Sequence, residues 1–342
     1  MSTTLPSTLP ILDLARLNAG PVDRAAFLDH LRYAARDIGF FYVVNHGVDT
    51  RLLEDVQREA RQFFALPEEE KAKVAMIHSP HFRGYNRAAA ELTRGKPDWR
   101  EQFDIGAERP ALALSANAPS WRRLQGPNLW PAAQPSLRPT LLRFQRDMAQ
   151  MALRLLRAFA EALQLAPDAF DTLYGEQPNE HIKLIRYPGQ QRTGSNQGVG
   201  AHKDSGFLSF LLQDAQKGLQ VEVAPDEWID AAPLPGSFVV NIGELLELAT
   251  NGYLRATVHR VVSRPRITNA SLSPFSSARG STAWCRSIRC RRSWRVRRTA
   301  RRAIRATRFC VMSAGTISKA ACARTLMSPN VTTAMCCAKA TN

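Results

Sequence analysis

The sequence predicts a mainly β fold, an antiparallel sandwich or jelly roll, preceded by a mixed α/β part and followed by a tail of different character. Three observations carry this. After Asn179 come six short runs rich in β-branched and aromatic residues, with turn residues between them. Before Asn179 apolar residues recur at helical spacing. From Arg264 to Asn342 there are 17 of the chain's 46 Lys and Arg and no acid, which leaves 29 basic and 30 acidic residues before it. The formal charge of +16, which taken whole suggests an anionic partner, therefore belongs to the tail.

Taken in order, "PVDRAAFLDHLRYAARD" sets Ala26, Leu28, Leu31, Ala34 and Ala35 on one helical face, and Gly39 stops it. "GFFYVVNHGV" reads as a buried strand and turn. A second helix runs through "RLLEDVQREARQFFAL", capped by Asp49 or Thr50, and Pro67 with "EEEK" starts a short third. Residues 84–138 are rich in Pro, Arg and Trp without clean periodicity and read as long connections. From Pro139 to Leu165, Leu141, Phe144, Met148, Met151, Leu155 and Phe159 predict a long core helix. The strands are "HIKLIRY", "GFLSFLLQ", "LQVEVA", "EWIDAA", "SFVVNI" and "TVHRVVS", with one short helix at "GELLELATNG". The resulting division is 1–125, 126–178, 179–263 and a tail 264–342.

No apolar run is long enough to span a bilayer, and "MSTTLPSTLP" has no signal-peptide character; a cytoplasmic protein is expected. All six Cys lie in the tail without zinc-site spacing, and all seven His lie at or before His259.

The sharpest chemistry is in "GVGAHKDSG". On an extended segment His202 and Asp204 point to one face and Lys203 to the other. His259, in the alternating run from Thr257 to Val261, is the only His beyond that motif and supplies a third candidate ligand. Two His and one carboxylate on one face of an ion leave positions open for a co-substrate and O₂, the arrangement of non-haem Fe(II) oxygenases. Lys183 shares a strand face with Ile185 and Tyr187; it either meets an anionic substrate or forms a solvated strand end.

At this point the chain resembles the isopenicillin N synthase-like branch of the Fe(II)/2-oxoglutarate-dependent oxygenases. The resemblance runs from Leu9 to Ser263. It is carried by "LPILDL", "IGFFYVVNHGV", "FFALPEEEKAK", "FRGY" and "GKPDWREQFDIG" in the first part. In the second it is carried by "RYPG", "GAHKDSGFLSFLLQD", "GLQV", "PGSFVVNIGELLELATNG" and "TVHRVVS". It implies a double-stranded β-helix (jelly roll) core with flanking helices, and Fe(II) held by His202, Asp204 and His259. It also implies oxidation of a small-molecule substrate, by hydroxylation or desaturation, as 2-oxoglutarate and O₂ are converted to succinate and CO₂, with ascorbate as a stimulant. An ethylene/succinate-forming reaction is the alternative. The resemblance further places Tyr187 facing the co-substrate or the substrate, with a core-filling Tyr as the alternative, Arg83 and Tyr85 at the substrate mouth, and His46 of "NHG" in a structural role.

The family pattern next requires an Arg-x-Ser about ten residues after the distal His, to grip the far carboxylate of 2-oxoglutarate. Here the window reads Ile267, Thr268, Asn269, Ala270, Ser271. If Asn269 is encoded AAC, the last base of its codon with the first two of Ala270 spell CGC, an Arg codon, and the shifted frame accommodates Arg-Leu-Ser. With no acid and only nine Leu, Ile or Val in 79 residues, the tail reads as a frameshifted segment that leaves the barrel without its last strand. An evolved arm is the rival, because "WCRSIRCRRSWRVRRTARRAIRATRF" has the composition of a nucleic-acid-binding segment; specific nucleic-acid binding is not expected.

Overall fold

The computed structural model describes residues 7–115, 117–171, 178–263 and 271–278. The basic segment beyond residue 278 and its cysteines lie outside the described residues, as do residues 264–270, which hold all of the expected Arg-x-Ser window but Ser271.

Fourteen strands are described: β1 Ile11–Asp13, β2 Phe40–Val44, β3 Gly84–Asn86, β4 Leu92–Thr93, β5 Lys96–Pro97, β6 Glu101–Gly106, β7 Asn179–Arg186, β8 Gln197–His202, β9 Leu208–Leu211, β10 Leu219–Ala224, β11 Glu227–Asp230, β12 Phe238–Ile242, β13 His259–Val262 and β14 Ser271–Ala278. Eight form one sheet in the order β1-β2-β12-β9-β14-β7-β6-β3, and four form a second in the order β11-β10-β13-β8. Apart from the parallel pair β1–β2, the ladders are antiparallel. Two facing antiparallel sheets are the jelly roll expected from the strand runs.

Helices cover one face of the large sheet. The predicted first helix is α1 Pro21–Tyr33, continued by one wider turn, Ala34–Ile38, to Gly39. Gly39 adopts φ 77°, and a Cβ there would strike the backbone carbonyl of Arg255, so the stop needs glycine twice over. Helix α2, Thr50–Ala65, is capped by Asp49, whose carboxylate accepts from Arg51 N at 3.0 Å. The short α3 Glu68–Lys73 follows Pro67. The long helix is α4 Leu137–Ala162, with Leu141, Phe144, Met148, Met151, Leu155 and Phe159 buried as their spacing requires. These helices and one face of the large sheet make the main core, which includes Phe41, Phe63, Phe103, Ile182, Leu184 and Phe210. None of the described helices is long and apolar enough to cross a membrane.

Two expectations are corrected. Residues 84–138 are not only connections, because β3 and β6 extend the large sheet and β4 and β5 form a hairpin. Strand β6 is buried throughout yet carries Glu101, Gln102 and Asp104. Its charges are neutralised by ion pairs across the sheet instead of being replaced by apolar residues, so no apolar alternation announces it. The barrel also does not lack a last strand. β14 lies between β7 and β9 and pairs with both. Its Ser271 stands opposite Ile185 and its Ser276 opposite Ser209. The slot between β7 and β9 presents two rows of backbone donors and acceptors, and a short extended segment satisfies both.

Candidate metal centre

Strands β8 and β13 are neighbours in the smaller sheet, and their register sets His259 directly opposite His202. Asp204 follows two residues after His202, where its carbonyl accepts from Glu244 N at 2.7 Å and so ties the turn to the helix α5 Glu244–Ala249. One ligand atom from each of the three side chains lies within 4.8 Å of the others. The Nε2 atoms of His202 and His259 are each 3.6 Å from Asp204 Oδ1, too long for a hydrogen bond. Around one ion with bonds of about 2.0–2.2 Å, neighbouring donors stand about 3 to 3.5 Å apart, which is close to what the three residues present.

The groups behind these atoms aim them. His202 Nδ1 lies 2.8 Å from Gly200 O and His259 Nδ1 3.1 Å from Thr257 O. A carbonyl only accepts, so both Nδ1 atoms carry a proton, which leaves Nε2 as the ligand atom on each ring, turned toward Asp204. Asn241 on β12 donates to Asp204 Oδ2 at 2.9 Å, leaving Oδ1 toward the histidines. Phe40 on β2 packs edge-on against the His259 ring at 5.1 Å and fixes its plane. Burial opposes ionisation of Asp204, but the adjacent His259 and His202 outweigh it and hold its carboxyl well below the usual carboxylate range. The same carboxylate raises His259 against the lowering effect of burial. The donor set, two neutral imidazoles and one carboxylate with the rest of the coordination sphere left open, is one that suits iron.

Tyr187 follows the end of β7 and packs against Gly198 of β8, where a Cβ would come to 2.8 Å of the ring. Burial pushes its hydroxyl up to about 12, against the pull of Arg100. Arg100 immediately precedes β6, donates to Glu91 at 2.8 Å and reaches Asp98 at 4.0 Å. Asp98 is almost fully buried. It accepts from Thr93 Oγ1 at 2.7 Å and from Gln197 Nε2 and Gly200 N at 3.1 Å each, pinning the β4–β5 hairpin across β8.

The remaining candidates sit elsewhere. Tyr85 points to the helix-covered face of the large sheet, packs against Phe63 and donates to Glu101 at 2.9 Å, so it is a core residue and not part of a substrate mouth. Arg83 is buried, and its guanidinium donates to the carbonyls of His81 at 2.9 Å and Leu124 at 3.0 Å, which makes it a clamp on two loops. Lys183 is neither a solvated strand end nor turned toward an anionic ligand. Its ammonium lies 2.6 Å from Asp104, which also meets His181 Nε2 at 2.6 Å. The residues missed by sequence reasoning are Asn241, Asp98, Glu91 and Arg100. Asp98 and Arg100 lie within "GKPDWRE", a motif noted only as a resemblance, and Glu91 just before it, and their pairing across a hairpin leaves no periodic trace.

Residues 9–133 match the family model described as non-haem dioxygenase in morphine synthesis N-terminal, and residues 178–273 match that of the 2OG-Fe(II) oxygenase superfamily. A 2-oxoglutarate-dependent dioxygenase, frbJ, of a Dothideomycetidae species is 37% identical over 273 residues, covering 78% of this chain and 73% of the relative. A homoarginine-6-hydroxylase of Arabidopsis thaliana is 34% identical over 269 residues, covering 75% and 80%. Among solved structures, a full-length Neurospora crassa protein in complex with alpha-KG and thymine superimposes with a TM-score of 0.75 at 22% identity, covering 94% of this chain and 99% of the other, a likeness of fold. A 2OG-Fe(II) oxygenase family protein from Caulobacter crescentus gives 0.71 at 27% identity, covering 83% and 90%.

Proposed function

The chain belongs to the 2OG-Fe(II) oxygenases, and on that premise we propose how its residues serve the reaction. It is a 2-oxoglutarate-dependent dioxygenase that takes Fe(II) and 2-oxoglutarate and oxidises a small molecule. In our reading His202, Asp204 and His259 hold the iron through Nε2, Oδ1 and Nε2. Bound there, the iron supplies activation of O₂ coupled to the decarboxylation of 2-oxoglutarate to succinate and CO₂. His202 and His259 enter as neutral ligands because Gly200 O and Thr257 O keep their Nδ1 protons, and Asp204 enters ionised because its neighbours favour that form. Asn241 restricts Asp204 to one free oxygen. Tyr187, half-buried and protonated, offers its hydroxyl to the co-substrate.

The observation that carries this reading is the convergence of the three donor atoms within 4.8 Å, with each imidazole oriented by a backbone carbonyl. Relatives from three plants are homoarginine-6-hydroxylases at 33–34% identity, which makes L-homoarginine the first substrate to test. The full chain, supplied with Fe(II), ascorbate, 2-oxoglutarate and L-homoarginine, is expected to release succinate and to yield a hydroxylated product by mass spectrometry. Succinate at the level of an iron-free control, with every small substrate tried, would refute the functional reading.

A further inference from the structure

Arg100 is an unusual buried cation. Only 12% of its side chain is exposed, and the register that pairs Glu101 with Arg186 places it beside Tyr187 at the end of β7. One of its terminal nitrogens meets Glu91 at 2.8 Å, while Asp98 stands off at 4.0 Å. Its Nε is buried with no hydrogen-bond partner among the described residues. A guanidinium has five donors in a rigid fork, and a buried donor left unmatched is costly unless a ligand matches it.

The surroundings say where that ligand lies. The β6–β7 register sets Arg100 beside Tyr187, whose ring packs on Gly198 of β8, and Asp98, 4.0 Å from the guanidinium, accepts from the N–H of Gly200, whose carbonyl holds His202 Nδ1 at 2.8 Å. Arg100, Tyr187 and the candidate iron ligands therefore share one neighbourhood. Glu91 keeps Arg100 charged despite burial but engages only part of its fork. The described stretch of β14, Ser271–Ala278, contains no arginine.

We propose that Arg100, with the Tyr187 hydroxyl beside it, is a carboxylate-binding subsite of the iron centre. A planar carboxylate bridges the guanidinium edge and the phenol, the geometry for which Arg is suited and Lys is not. Two ligands of the reaction can bring this group: the distal carboxylate of 2-oxoglutarate, or a carboxylate of the substrate.

The inference rests on the iron-site reading above, and the experiment separates the two. The full chain is loaded with Mn(II) and titrated by calorimetry with 2-oxoglutarate, with 2-oxobutyrate, which has the same keto-acid head and no distal carboxylate, and with L-homoarginine. Arg100→Gln is compared with the wild type. Arg100→Lys tests the fork at constant charge, and the charge-balanced Glu91→Gln/Arg100→Gln protein replaces the single variant if that fails to fold. Arg100→Gln is expected to weaken 2-oxoglutarate about ten- to hundredfold, the size of one charge-assisted hydrogen bond, and to leave 2-oxobutyrate unchanged. Arg100→Lys should recover only part of the loss. Unchanged 2-oxoglutarate binding with weakened L-homoarginine binding assigns the carboxylate to the substrate. Unchanged affinity for both overturns the inference, and if wild type does not bind L-homoarginine the 2-oxoglutarate comparison decides alone. Failure of Mn(II)-loaded wild type to bind 2-oxoglutarate refutes the iron-site reading instead.

Discussion

Asp104 and Asp204 each stand between two basic side chains, yet one cluster is closed and the other open. Asp104 is fully buried and holds Lys183 and His181 at 2.6 Å each, so its charge is matched within the protein. Asp204 keeps His202 and His259 at 3.6 Å, outside hydrogen-bond distance, with their Nε2 atoms turned toward it. The same ingredients, a carboxylate flanked by nitrogen bases, thus build a structural ion cluster in one place and a set of converging lone pairs in the other. The difference comes from what lies behind the bases. Backbone carbonyls take the Nδ1 protons of the two site histidines, whereas Lys183 has no such constraint and donates straight to Asp104.

The largest effect that would break this contrast is at Asp204. Asp204→Ala removes the only anionic ligand of the three and should abolish succinate release. The thermal unfolding midpoint should stay near that of wild type, since Asn241 is the side chain that donates a hydrogen bond of ordinary length to this carboxylate. Asp104→Asn should do the opposite. It strands the Lys183 ammonium in a buried position and should cost about 3–5 kcal/mol of stability, read by urea unfolding, while metal binding persists.

Acid sharpens the same distinction. Burial favours neutral Asp104, but Lys183 and His181 prevail and hold its carboxyl below the ordinary value. A depressed carboxyl contributes stability that is fully present above the unfolded value of about 3.9 and is lost as pH falls toward the folded value. Stability should therefore drop below about pH 4 in the wild type, and Asp104→Asn should flatten that slope.

Smaller effects lie in the supporting groups. Asn241→Ala leaves Asp204 free to rotate and should weaken metal affinity about 10- to 100-fold, measured by competition with a chelator. Asp49→Ala, remote from both clusters, removes the α2 cap and should cost about 1 kcal/mol without altering metal affinity.

Much of this was legible in the sequence for a physical reason. Alternation and helical spacing report burial on one face, so the long helix, placed at 139–165 and observed at 137–162, the strands β7 and β9 to β13, and the His-x-Asp pair could be read directly. Burial by ion pairing leaves no such pattern, which is why β6 passed for connection and why Lys183 and Arg83 looked available to ligands. Tyr85 was misplaced for a related reason, because a short strand whose neighbour is unrecognised has no assigned faces. β14 was missed because its composition argues against a strand, while the need for one comes from the edges of β7 and β9, which are distant in sequence. Arg100 needs the hairpin and β7 together before its position has meaning.

What separates the two aspartates most directly is metal binding, which belongs to the open carboxylate and not to the closed one. Anaerobic calorimetric titration of Fe(II) into wild type, Asp204→Ala and Asp104→Asn, all shown folded by circular dichroism, tests this. One binding event per chain is expected in wild type and in Asp104→Asn, and none in Asp204→Ala. Unaltered binding in folded Asp204→Ala, or its loss in folded Asp104→Asn, would contradict it.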